Sequence, residues 1–504
     1  MPTEHLHRET ASSATTTPGA RGWRLSRPPA ALLFLLVATF VLGGVWALTV
    51  PPFQAPDEFA HVAYVQSLAE RGDLPGDGNR PLESTEQHLA TGAANSLQTA
   101  QQLLVKPEWS KRQENLWSAR EDRLGEHARA DGGGPNPASS NPPLSYLSMV
   151  VPYEAASGGD FFARLSAMRL ASVLLLLVTV TAVWLLAGTV FGPRRPQQLA
   201  AAALAGLLPM MTFLSASVGP DSLLYALSAL TLWLGARVIL GNARVVDVVA
   251  LCAVTGLAVL TKATAYALIP AVALAVLVGA WRAREGLRRV AVAGLVATAA
   301  FALVVTPWLV IARANDRPAT GQLQGASPAS DVNARELASY VWEYYLPRLP
   351  FQTEYAPLGE WPQAYETWFK RAVGAFGWLE IRWPPAVYAG LLAVWLALIG
   401  GAAVALFRRR RTVDRLLMAF FVLAVVSLLA GLHWSEYRIA ESSGGLLSQG
   451  RYLFPLLPLA GLVPAAALLA LPNRWRAPAL GAFVGGLIVL QLFSIGLVAT
   501  RFYA

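Results

Sequence analysis

Cysteine is all but absent: a single residue, Cys252, stands in a chain of 504, inside an apolar run. No disulfide within one chain can brace the loops, and neither a cysteine metal site nor a cysteine nucleophile is expected. Charge is scarce as well, 14% of residues against 55% hydrophobic, and the mean hydropathy is +0.44. Those values exclude an ordinary soluble globule. Ionisable residues are nearly missing from the middle of the apolar runs, which counts against an ion-coupled transporter, since such proteins keep coupling groups near the membrane midplane. The chain also lacks an internal repeat. Its glycine-rich stretch, Asp131-Gly132-Gly133-Gly134-Pro135-Asn136-Pro137, has no phosphate-loop spacing and reads as flexible.

Long apolar runs are abundant. Eleven of them, approximately 30–50, 167–191, 197–217, 221–241, 246–262, 264–281, 288–311, 386–407, 414–432, 451–471 and 477–499, are long enough to cross a hydrocarbon core of about 30 Å as helices. Arginine placement orients them. With a cytoplasmic N-terminus every second connection should be basic, and these connections hold Arg194-Arg195, Arg244, Arg282 to Arg289, Arg408 to Arg415, and Arg474 with Arg476, while the tail adds Arg21, Arg24 and Arg27. The net charge of +9 is thereby accounted for by topology and anionic headgroups, and calls for no nucleic acid. The first run is too long for a cleaved signal and is expected to stay as an anchor.

The chain thus reads as an all-α polytopic membrane protein. A disordered cytoplasmic tail (1–29) precedes the first transmembrane helix (30–50) and a first outer loop (51–166). A transmembrane bundle (167–311), a second, aromatic-rich outer loop (312–385) and a C-terminal bundle (386–504) follow. Connections as long as these two loops usually carry function. The first opens on Pro51-Pro52-Phe53-Gln54-Ala55-Pro56-Asp57-Glu58-Phe59-Ala60-His61. Pro56 suits a first helical turn, so Asp57 and Glu58 are expected at the positive end of a helix, with His61 one turn below them. Plain helix capping is the bland alternative. A polar helix is expected from Glu83 to Leu104, then charged turns, and Asn141-Pro142-Pro143-Leu144-Ser145-Tyr146 leads a segment suited to lying on the membrane. The second loop carries Trp342, Tyr344, Tyr345, Trp361, Tyr365, Trp368, Phe376, Trp378 and Trp383, expected chiefly as an interfacial belt.

The short outer turns hold further ionisable groups. Asp221 follows Val218-Gly219-Pro220, Lys262 lies in Leu260-Thr261-Lys262, Arg313 closes the seventh run, and Arg451 opens the tenth in Gln449-Gly450-Arg451-Tyr452. Lys262 lies on the side that the charge rule keeps free of cations; snorkelling at a membrane boundary is its structural explanation. Glycine beside Arg451 is read as room for a ligand. Arginine grips phosphate with a fork and lysine as a point charge, so Lys262, Arg313 and Arg451 suit a lipid-linked phosphate at the bilayer surface.

Taken in order, Pro56-Asp57-Glu58-Phe59-Ala60-His61, Asn141-Pro142-Pro143-Leu144, Pro220-Asp221, Leu260-Thr261-Lys262, Phe376-Gly377-Trp378 and Gly450-Arg451-Tyr452-Leu453-Phe454-Pro455 make the chain resemble the GT-C superfamily of polytopic glycosyltransferases, and within it a bacterial branch of membrane proteins. The resemblance implies a sugar donor on polyprenyl phosphate and inverting transfer outside the cytoplasmic membrane to a cell-envelope glycan, lipid or protein. It also implies that Asp57 or Glu58 is base or metal ligand, with Asp221 assisting. Asn141 and Gly219 depart from related motifs, where histidine or another polar group, and asparagine, often stand. On this reading the acid removes the acceptor proton and Lys262, Arg313 and Arg451 stabilise the departing phosphate. His61 and Tyr452 support the site. A divalent cation, Mg²⁺ or Mn²⁺ foremost, would take Asp57, Glu58 and Asp221. The alternatives are a transporter or flippase for a lipid-linked glycan, and a non-catalytic envelope-assembly protein. Glycosidase chemistry is disfavoured because adjacent carboxylates cannot straddle a sugar.

The arginine pattern makes a direct prediction. Reporter fusions after Gly125 and Gln352 should read outside, and fusions after Arg289 and Arg411 inside; a cytoplasmic reading at Gly125 would put the acids on the side of nucleotide donors.

Overall fold

The structure, a computed structural model, describes residues 28–77, 83–94, 110–125, 127–241, 243–283, 286–317, 333–352, 363–410, 413–443 and 449–503. Most of the expected tail, Trp361 and the far half of the expected 83–104 helix lie outside the described residues. The first apolar run forms α1 (Ala30–Thr49). The first long connection carries α2 (Glu58–Arg71), α3 (Thr85–Ala93), α4 (Lys111–Glu121), α5 (His127–Ala130) and α6 (Leu144–Ala155). Then come α7 (Phe161–Phe191), α8 (Arg195–Leu207), α9 (Pro209–Ser215), α10 (Asp221–Leu240), α11 (Val245–Val259), α12 (Ile269–Arg282) and α13 (Gly286–Ala314). The second connection holds α14 (Ala334–Tyr345) and α15 (Arg371–Val373), and the chain ends with α16 (Pro385–Arg408), α17 (Arg415–Ser443), α18 (Leu457–Ala470) and α19 (Asn473–Tyr503). Extended pairing among these residues is confined to Gly76–Asp77 with Pro135–Asn136, and Ala375–Phe376 with Ile381–Arg382.

Each expected apolar run coincides with helix. Among the described residues nine helices are long and apolar enough to cross a membrane, or ten if α8 and α9, bent by 56°, form one span. The bend has a local cause: Pro209 favours an extended residue before it, and Leu208 is extended. The remaining run is α11, whose 15 residues span about 22 Å, short of a full crossing. α7 is the spine, packing on α1, α8 and α10, while α18 packs on α8 and α16. Deep in this core Trp46 donates to Gln491 at 2.7 Å, and Gln491 bonds in turn to Thr212, tying α1, α19 and α9 together.

Three local expectations give way. The glycine-rich stretch is ordered, because Pro135–Asn136 pairs with Gly76–Asp77 and Arg71 donates to the Gly132 carbonyl at 2.6 Å. Residues 111–121, expected as charged turns, form α4, and its Trp117 packs in the apolar core of the first connection. The second-loop aromatics are not a belt as a set. Tyr344, Phe376 and Trp383 are buried, Phe376 stacking on Trp46 at 5.1 Å and Trp383 donating to Ser494, whereas Trp342 and Tyr345 remain partly exposed beside an open apolar groove of about 560 Å³ along α14.

A buried ion pair ties the start of α2 to α7. Arg169, on α7, places its Nε at 2.8 Å and one Nη at 2.5 Å from the Glu58 carboxylate; the remaining donors reach the carbonyls of Ala47, Val50 and Pro51. Glu58 also accepts from the backbone N–H groups of Phe53 and Val218, both at 3.1 Å. All five guanidinium N–H groups are therefore used, and each carboxylate oxygen accepts twice. Removing one member strands the other in the interior, at a cost of about 3–5 kcal/mol. We predict that Glu58→Gln and Arg169→Ala each lower the melting temperature strongly in detergent. The double change to leucine should not recover it, because five backbone groups then lose partners at about 1 kcal/mol each. A double variant as stable as wild type would refute this account.

Candidate functional site

The end of the bundle held by that ion pair is where the polar residues gather. α2 begins at Glu58, not at Pro56, and Asp57 is its N-cap residue in the left-handed conformation (φ 63°, ψ 5°). Aspartate tolerates this region better than most residues. The turn sends the neighbouring carboxylates to different partners, Glu58 inward to Arg169 and Asp57 to Arg451, whose Nη lies 2.6 Å from its Oδ2. Asp57 makes no capping hydrogen bond with its side chain, so helix capping does not explain it. Its side chain is 47% exposed, whereas Glu58 is completely buried.

Arg451 also reaches toward Asp221, 3.8 Å away, and Lys262 completes the set with its Nζ 2.7 Å from Asp221 Oδ1. Both cations lie over the Tyr452 ring, Lys262 at 5.1 Å and Arg451 at 5.5 Å from its centre. Short motifs position these groups. Pro220 places Asp221 at the start of α10, and Lys262 precedes a tight turn (Ala263–Leu268). Leu144 N–H donates to the Leu260 carbonyl, which ties the Asn141-Pro142-Pro143 segment to the Lys262 turn, while Tyr225 donates to the Arg451 carbonyl. Gly450 serves packing: a Cβ there would collide with the backbone of Arg371 and Ala372, so the space read as room for a ligand is filled by the chain itself.

His61 stands on the next turn of α2. Its Nδ1 is 3.0 Å from the Tyr146 hydroxyl, which accepts from Asn141 Nδ2 at 3.1 Å, and Tyr146 stacks on Tyr64 with centres 3.8 Å apart. The two departures from related motifs thus have local causes. Asn141 anchors this relay, and Gly219 lies so close to His61 that a Cβ would sit 3.1 Å from the ring. Burial drives the His61 imidazole down to about 4, against the opposing pull of Asp57. Burial acts to raise the Asp57 carboxyl, but Arg451, His61 and Lys262 together hold it below the ordinary value.

The structure therefore brings together Asp57, His61, Asp221, Lys262, Arg451 and Tyr452. It separates Glu58, sealed against Arg169, and Arg313, which is exposed at the end of α13 and makes no ion pair with a described residue. Arg317 instead touches the first connection, donating to the carbonyls of Leu74 and Pro75. The expected metal set is divided: Asp57 and Asp221 are each engaged by a cation and Glu58 is withdrawn. Among the described residues no group of three or more His, Cys, Asp or Glu is arranged to hold a metal ion, so the residues present do not fit that set. Sequence reading missed Arg169. The signal was available, since Arg164 and Arg169 are cations on the side that the charge rule disfavours, the same anomaly that marked Lys262.

A family model described as "Predicted membrane protein (DUF2142)" matches residues 40–460. A search of curated proteins returns no match. Among solved structures the chain is similar to ArnT from Cupriavidus metallidurans in the apo state, with 16% identity, a TM-score of 0.48, and coverage of 94% of this chain and 74% of that one. It is also similar to the Archaeoglobus fulgidus oligosaccharyltransferase in the apo form, with 12% identity, a TM-score of 0.48 and coverage of 93% of this chain; it spans 56% of that protein's length.

The neutral imidazole yields a pH prediction. Between about 4 and 6.5 the unfolded chain binds a proton at His61 that the folded chain refuses, so this group removes stability as pH falls through that window. The melting-temperature advantage of wild type over His61→Gln should be steady above pH 7 and shrink between pH 6.5 and 4. A constant difference would show that His61 takes up its proton as readily in the folded chain as in the unfolded one.

Proposed function

The chain belongs to the DUF2142 family of membrane proteins, and on that premise we propose that it is a membrane glycosyltransferase. It takes a sugar from a polyprenyl-phosphate donor and passes it, with inversion, to a hydroxyl of a cell-envelope acceptor on the outer side of the cytoplasmic membrane. The observation that carries the reading is the single guanidinium of Arg451 set between two carboxylates, one of them half exposed, with Lys262 alongside. Two cations and two acids balance, so the cluster holds no net charge to repel or trap either substrate.

A phosphate offers Arg451 a bidentate partner in place of Asp57. Donor binding thereby frees the Asp57 carboxylate, and losing its cationic partner makes Asp57 a stronger base. The acceptor oxygen attacks C1 as its proton passes to Asp57. The bond from C1 to the phosphate oxygen breaks, and the electron pair leaves with the polyprenyl phosphate, whose added charge Arg451 and Lys262 stabilise. One displacement inverts the anomeric carbon. Asp221 positions Lys262, and Tyr452 lies beneath both cations. Glu58 is assigned a fastening role, and the phosphate is assigned to Lys262 and Arg451 without Arg313.

Asp57→Asn retains size and removes the charge, so transfer from polyprenyl-phosphate sugars in liposomes should fall by about 10²-fold or more, with a melting temperature near wild type. Lys262→Ala should weaken donor binding by roughly ten- to a hundredfold, a phosphate contact being worth about 1.5–3 kcal/mol. Arg451→Lys should weaken it less. Undiminished transfer by Asp57→Asn would end the enzyme reading, and movement of intact lipid-linked glycan across the bilayer without transfer would favour a flippase.

A further inference from the structure

At the other end of α18 from Arg451, an apolar crevice of about 260 Å³ opens between α8, α16, α18 and α19, lined by Ala200, Ala397, Gly401, Ala467, Leu471 and Phe483 among others. Small residues on α16 and α18 leave this space between neighbouring helices. One end of it is charged. Arg408 donates to the carbonyl of Ala470, and Arg476 to those of Leu471 and Leu469, at 3.2, 3.1 and 3.5 Å. Ala470 and Leu471 both line the crevice, so the guanidinium groups stand at its rim. Arg474 and the half-exposed Trp475 lie on the same turn.

Two ordinary explanations cover part of this arrangement. Arginines here obey the positive-inside pattern, and cations suit the carbonyl end of a helix. Neither accounts for the rest of their hydrogen-bonding capacity. A guanidinium has five N–H donors; among the described residues Arg408 uses one and Arg476 two. Arg408, Arg474 and Arg476 make no ion pair with any described residue, whereas Arg282 and Arg237, on neighbouring connections, are matched by Asp414 and Asp247. Uncompensated cations at the mouth of a chain-wide apolar slot, at the level marked by an exposed tryptophan, complement an anionic headgroup above an acyl tail.

We propose that this crevice seats one acyl chain of an anionic phospholipid whose phosphate is held by Arg408 and Arg476. The site is distinct from the Asp57 cluster and independent of the function proposed for it.

The test uses the purified full chain in a neutral detergent, with phosphatidylglycerol or phosphatidylcholine of the same acyl chains added. Phosphatidylglycerol should raise the melting temperature by roughly 3–5 °C more than phosphatidylcholine. The R408Q/R476Q pair should abolish that difference, and R408K/R476K should retain most of it. Ala397→Phe, at an exposed lining position, fills the slot with the arginines intact and should also abolish it. Equal gains from the two lipids, or a full phosphatidylglycerol gain in R408Q/R476Q, would overturn the proposal. If that pair fails to fold, Ala397→Phe decides: an undiminished gain there overturns it, and native mass spectrometry should show loss of one retained phosphatidylglycerol.

Discussion

The pairing of Glu58 with Arg169 is the constraint on which the rest of this end of the molecule depends. A buried ion pair is favourable only when its hydrogen bonds are complete, and this one is completed by backbone groups from three places: the end of α1 with Pro51 after it, the turn at Phe53 and the turn at Val218. Because those partners are main-chain atoms, the pair fixes path as well as charge. It settles where the chain leaves α1, the angle at which α2 departs, and how the α9–α10 turn lies beside it. Asp57 and Asp221 sit on the segments so fastened.

The same interaction divides the labour of two adjacent acids. Glu58 is consumed in holding the fold, and the left-handed backbone at Asp57 directs the other carboxylate to Arg451. A strained residue at the start of a helix costs about 1–3 kcal/mol and persists where its surroundings over-determine it. Here those surroundings are Arg169 on one side and Arg451 on the other. The resulting cluster is neutral as a whole but built of separable charges, an arrangement suited to a ligand that exchanges one anion for another.

The two ends of the α18 segment treat their arginines differently. Arg451 is buried and bridges two acids; Arg408 and Arg476 sit at the far end, and among the described residues their hydrogen-bond partners are carbonyls. A buried cation needs a counter-charge within the protein, whereas one at a membrane surface can find it in lipid. The proposed lipid site is that physical difference followed to its consequence.

Much of the architecture was legible in the sequence, because a hydrocarbon core imposes a length and a polarity that each apolar run displays by itself. Short motifs likewise announced Asp57, Asp221, Lys262 and Arg451 as groups worth watching. Sequence could not separate Asp57 from Glu58, since adjacency along the chain says nothing about which side chain turns inward; Arg169, more than a hundred residues away, decides that. Nor could it tell Arg313, left aside, from Arg451, brought to the centre, or show that Gly450 makes room for the backbone of Ala372 and Gly219 for the ring of His61. Hydropathy is a local property and is read locally. Which charges meet depends on contacts between distant segments, and only the tertiary structure determines those.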